Sequence, residues 1–74
     1  MRTSNTNYLS CTGIELKETD KAKLIKLETI EEEELDPPHT GWFPLSQISS
    51  KTTDDEGVET FLIAEWILEK KELL

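Results

Sequence analysis

No apolar run in this chain exceeds four residues: "WFPL" at 42–45 and "FLIA" at 61–64 are the longest. A membrane-spanning helix needs about 20 apolar residues, so that class is excluded at once. Short apolar segments separated by polar, turn-rich ones describe a small domain of short strands. Seventy-four residues make one such domain. A chain of this length buries only about 60% of its unfolded surface, so its core is thin.

Along the chain, 1–7 is polar and reads as a tail, and 8–74 as the domain. "YLSCTGIELKE" reads as a strand whose alternation slips near Gly13, the mark of a bulge. "ETD" at 18–20 reads as a turn. In "KAKLIKLETI", Lys23, Ile25 and Leu27 share one parity. Ala, Lys and Leu also suit a helix, but the flanking turn signals favour a strand. Residues 31–41, "EEEELDPPHTG", read as a loop, because like charges repel and two prolines remove two backbone donors. Pro44 makes the following strand an edge strand. "LSQI" reads as one helical turn capped by Ser46, and 49–59 as a second polar loop. Phe61–Ala64 reads as a strand, followed by a helix of about ten residues. The expected architecture is α+β: a small antiparallel sheet or open barrel of three to four strands with one C-terminal helix.

Charge sets the function classes. Sixteen acids against eight bases give a net charge of −8. That sign disfavours contact with nucleic acid phosphates and favours a basic protein partner. Two carboxylate groups stand out: Glu31, Glu32, Glu33, Glu34 and Asp36, then Asp54, Asp55 and Glu56. They lack the spacing of a calcium loop, so a solvated surface is the plain reading. The functional one is that they imitate nucleic acid phosphates and occupy a basic groove.

Within 42–45, alternation splits the residues between two faces. Trp42 is read as core together with Trp66. Phe43 and Leu45 then face outward as contact residues. His39 is read as an exposed loop residue, and Cys11 as a small buried hydrophobe. No metal-ligand cluster, cofactor fingerprint or nucleophile–base pattern is present, so the chain reads as a non-enzyme with no cofactor. The absence of a disulfide framework and of a signal peptide points to the cytoplasm.

"GWFPLSQIS" followed by "FLIAEWILEKKEL" resembles a group of small bacteriophage and mobile-element proteins. Their pattern is roughly W-x-P-x-S-Q-I, then E-W-[LI]-x-x-K. "KETDKAKLIKL" resembles the strand that precedes the Trp there. This chain departs from the pattern in its longer, more acidic loop before Trp42. It also departs at Lys71–Glu72–Leu73, where the group often has a capping Gly. The resemblance implies a small β-rich domain in the cytoplasm of an infected host cell. The group carries no established activity. Charge, small size and that setting together lead to a binding or inhibitor protein that engages a basic host surface, with DNA mimicry of the anti-CRISPR or anti-restriction kind as one form of it. The competing readings are a single-strand nucleic acid module using Lys17, Lys21, Lys23 and Lys26, and a structural subunit that dimerises.

Overall fold

The structure is a computed structural model and describes residues 7–74; the tail reading at 1–7 lies largely outside that span. Five antiparallel strands are followed by one short helix: β1 (Tyr8–Glu18), β2 (Ala22–Ile30), β3 (Glu33–Pro44), β4 (Ile48–Thr53), β5 (Glu59–Ala64) and α1 (Glu65–Lys70). Their order across the sheet is β3-β2-β1-β5-β4, so β3 and β4 are unpaired edges and no barrel closes. A three-residue 3-10 turn, Leu45–Gln47, joins one edge strand to the other. Five flat strands would span about 19 Å, whereas the four peptide units from Pro44 to Ile48 reach at most about 14 Å. The sheet must therefore coil, and its concave side holds the core.

Bulges make that coiling possible. The β1–β2 register shifts between Thr12 and Gly13, as the Gly13 signal implied, and again between Glu15 and Lys17. Tyr8–Gly13 pair with β5, and the rest of β1 with β2 alone. The core consists of Cys11, Ile25, Leu27, Ile30, Phe43, Phe61, Ile63 and Ala64, closed by Ile67 and Leu68 of α1. The Cys11 thiol is wholly buried, and burial pushes it up to about 12, with Glu31 adding to the effect. It is therefore a packing residue, as expected.

Two segments read as loops are strands. β3 covers most of 31–41, and β4 covers half of 49–59. The β2–β3 connection is only Glu31–Glu32, and both residues have positive φ, 51° and 71°. That is a two-residue hairpin turn of the type that usually carries Asn-Gly. Built from two glutamates, it carries no turn signature in the sequence. The prolines still have their effect. Leu35–Pro38 stand opposite the single residue Glu28, so the ladder opens where the N–H donors are missing. Pro44 does lie on an edge strand. The 3-10 turn lacks the Ser46 cap: Pro44 precedes it, with no side-chain hydrogen bond.

The helix has six residues rather than ten. Lys70 is its last residue, and Glu72 takes a positive φ of 63°. The Leu73 N–H bonds to the Leu68 carbonyl at 3.0 Å, and the Glu72 N–H to that of Glu69 at 2.9 Å. This is a Schellman cap with Glu where Gly is usual. A left-handed L-residue costs about 1–2 kcal/mol, and the added chain entropy of Gly offsets about half of that. Glu72→Gly, and likewise Glu32→Gly in the hairpin turn, are each expected to raise stability by about 0.5–1 kcal/mol. A higher urea midpoint at unchanged slope checks this.

Candidate functional site

Parity is decided by pairing, and it reverses the expectation at 42–43. Lys23 stands opposite Phe43, Ile25 opposite Gly41 and Leu27 opposite His39. Ile25 and Leu27 are core, so Phe43 is core too and is 0% exposed. Trp42, opposite Leu24 on the other face, is 44% exposed. Phe43 is thus no contact residue, and Leu45 is half-buried in the 3-10 turn. Trp66 is 47% exposed, and its indole N–H donates to Gln47 Oε1 at 2.7 Å. The helix buries Ile67 and Leu68, which puts Trp66 on its outer side. One signal was available: Trp carries an N–H and is rarely fully buried, whereas Phe has no polar atom.

His39 is not an exposed loop residue. It lies half-buried on β3, its ring edge-on to Phe43 at 6.2 Å. Its Nε2 is buried without a hydrogen-bond partner among the described residues. Lys71 Nζ sits over the Phe43 ring, 4.8 Å from its centre. Burial, and then the Lys71 charge, hold His39 below its ordinary value. A depressed folded value means the native state resists protonation. Its contribution is present above about pH 6.5, the unfolded value, and falls away below it.

The two acidic segments lie apart. Glu31 meets β1 at Ser10, whereas the β4–β5 turn follows the Thr53–Glu59 pair, level with Gly13 and beyond. In the latter turn, Asp54 is a builder: its Oδ1 accepts the N–H of Glu56 and of Val58 at 2.8 and 2.9 Å. Asp55 and Glu56 are exposed beside it. In the hairpin, Glu31 accepts the Ser10 N–H at 2.8 Å through its carboxylate. Glu32, Glu33, Glu34 and Asp36 are exposed and have no ion-pair partner among the described residues.

The ion pairs among the described residues are all elsewhere. Lys23 bonds Glu15 at 2.9 Å and Glu18 at 3.0 Å, while Lys51 bonds Glu15 and Glu59 at 3.1 Å. This chain of charges ties β2, β1, β4 and β5 across the coil, and it takes Lys23 out of any basic stripe. The Lys23 hydrogen bond holds the Glu15 carboxyl below its ordinary value, partly against desolvation, and Lys51 assists. Lys23 is raised, first by Glu15, and Lys51 first by Glu59. For Glu15 the lowered folded value places its contribution above about pH 4.3, to be lost as pH falls through the folded value. For the lysines the raised values place theirs below about pH 10.4. An acid titration is therefore expected in two limbs. His39→Gln should remove the upper one and Lys23→Met most of the lower one, as read from urea midpoints against pH.

Clefts flank the hairpin. One of about 420 Å³ lies between the start of β1, the hairpin and the chain's end, with Leu9, Ile30, Leu35, Leu73 and Leu74 as its walls. A second, of about 500 Å³, is lined by Glu28, Thr29, Glu34, Leu35, Asp36 and Pro38. No group of three or more potential metal ligands is found among the described residues. No described helix is long and apolar enough to cross a membrane. No protein family, curated protein or solved structure matches this chain.

Proposed function

We propose that this is a small, acidic, non-enzymatic binding protein that presents the β2–β3 hairpin to a basic surface of a host protein. The observation that carries the reading is the set Glu32, Glu33, Glu34 and Asp36, unpaired among the described residues and concentrated at the hairpin while the described ion pairs form elsewhere. Carboxylates with no internal partner are free to pair with Lys or Arg across an interface, and such complementarity steers association. A basic groove that normally holds nucleic acid is the partner surface with the matching charge, which makes the protein a DNA mimic and an inhibitor of the anti-CRISPR or anti-restriction kind. The resemblance to phage proteins supports that setting. The exposed Asp55 and Glu56 would give a separate, secondary contact.

The test leaves the structural Glu31 in place and reverses Glu32, Glu33, Glu34 and Asp36 to Lys. Affinity capture from host lysate with the native chain should recover a nucleic-acid-binding protein. Duplex DNA should compete for it, rising salt should weaken it and the reversed variant should lose it. Capture by the variant equal to that by the native chain, at low and high salt alike, overturns the reading.

One observation favours a second reading. Trp42, Leu24 and Ile14 share the face opposite the core, with Lys26 beside Ile14 and Lys17 opposite Leu24 in register. An exposed indole near two lysines is the minimum for stacking single-stranded nucleic acid. A gel shift with single-stranded DNA at low salt, absent at micromolar protein, removes it.

A further inference from the structure

The cleft of about 420 Å³ beside the hairpin has mainly apolar walls, unlike the neighbouring cleft lined by Glu28, Glu34 and Asp36. Ile30 belongs to the core, and Leu9, Leu35 and Leu73 pack against it half-buried. Leu74 remains 58% exposed on the cleft's margin. The rim is made of carboxylates: Glu31, Glu33 and Glu34. No described lysine lines it. The volume falls in the range of pockets that take small ligands or single large side chains. Apolar walls alone would suit many occupants. The three-carboxylate rim selects among them, because it repels phosphates and other anions and pairs with guanidinium or ammonium groups.

We infer that this cleft is the docking site for a segment of the partner protein in which a bulky apolar side chain is flanked by arginine or lysine. The apolar side chain enters between Leu35, Leu73 and Leu74, and the flanking cations meet the rim. This rests on the reading that the acidic hairpin engages a basic protein, and it adds that the contact is led by an apolar anchor rather than by charge alone. Such an arrangement fits the general anatomy of interfaces, with a buried anchor inside a polar rim.

The test uses three labelled peptides of equal length and fluorescence anisotropy at 0.15 M salt, a physiological ionic strength. One alternates Arg and Leu, one Arg and Gly, and one Gly and Leu. The Arg-Leu peptide is expected to bind about ten-fold or more tighter than Arg-Gly, the ratio that burying one Leu side chain gives. Leu74→Lys lies at an exposed position and should fold normally while abolishing that preference. Glu33→Gln with Glu34→Gln should weaken both Arg peptides and flatten their salt dependence. Equal binding of Arg-Leu and Arg-Gly overturns the cleft while leaving the acidic-surface reading intact. Failure of both Arg peptides to bind better than Gly-Leu overturns both. Tight binding of Gly-Leu, or a dimer in sedimentation that Leu74→Lys dissociates, names a different occupant and also overturns it.

Discussion

Phe43→Ala is expected to unfold this protein at room temperature or bring it close to that point, while Trp42→Ala leaves it folded. Phe43 is 0% exposed and lies against His39 and Lys71 on the concave side of the sheet. Truncating a buried Phe costs about 3–5 kcal/mol. A chain of this length has a total stability of about 4–11 kcal/mol at typical values per residue. In the lower half of that range, a loss of this size leaves little stability. Trp42, 44% exposed on the other face, should cost only about 1 kcal/mol. Urea unfolding of the two variants, followed by far-ultraviolet circular dichroism, decides the matter. A larger loss for Trp42→Ala than for Phe43→Ala would reverse the assignment of the two faces.

Gly13→Ala is expected to be nearly as damaging, for a different reason. A Cβ at position 13 would lie 2.4 Å from the Lys26 carbonyl oxygen and 3.0 Å from the Leu27 Cα. Both are backbone atoms of the neighbouring strand, so no side chain can rotate out of the way. β1 and β2 would have to separate at the bulge, around which β1 leaves β5 and continues with β2 alone. Overpacking of this kind costs about 1–3 kcal/mol where a core can relax, and here the upper end or more is expected. Two controls separate this from a general glycine effect. At Gly41 the added Cβ meets the His39 ring, 2.8 Å from Nε2, which can shift. At Gly57 it meets nothing within 4 Å but holds a φ of +86°, which costs about 1 kcal/mol. Urea midpoints should rank Gly13→Ala lowest. A midpoint for Gly13→Ala equal to that for Gly57→Ala would show that the strands are not in close contact there.

Much of the fold was legible where residue chemistry acts locally. Strand β2, the Gly13 bulge, the edge position of Pro44 and the buried Cys11 each follow from alternation, backbone freedom or a missing donor. The turn at 18–20 also follows, since Thr19 Oγ1 accepts the Ala22 N–H at 3.1 Å. Strand β4 and the part of β3 that precedes Gly41 were not legible. The β2–β3 turn is Glu-Glu in place of Asn-Gly, and β4 is polar because its side chains are mostly exposed. The helix was read too long because Glu72 stands in the left-handed position that a glycine would have announced.

The candidate site divides in the same way. Glu31–Glu34 and Asp36 as a surface acidic group follow from composition, since four consecutive glutamates cannot be buried unpaired. Their relation to other residues does not. Leu9, Leu35, Leu73 and Leu74 are scattered over the chain, and only the coiling of the sheet and the Schellman cap bring them to one cleft. The same applies to the charges of Glu15, Lys23, Lys51 and Glu59, which lie on four different strands.

The sequence by itself determined an acidic, strand-rich chain with no apolar run long enough for a membrane-spanning helix and with a dense group of carboxylates at 31–36. These follow from charge, length and local backbone preference, which need no neighbour to act. The tertiary structure alone decided which of Trp42 and Phe43 is core. Alternation puts two adjacent residues on opposite faces but cannot say which face is inside. That choice belongs to the partner strand, where Ile25 and Leu27 draw Phe43 inward through their register.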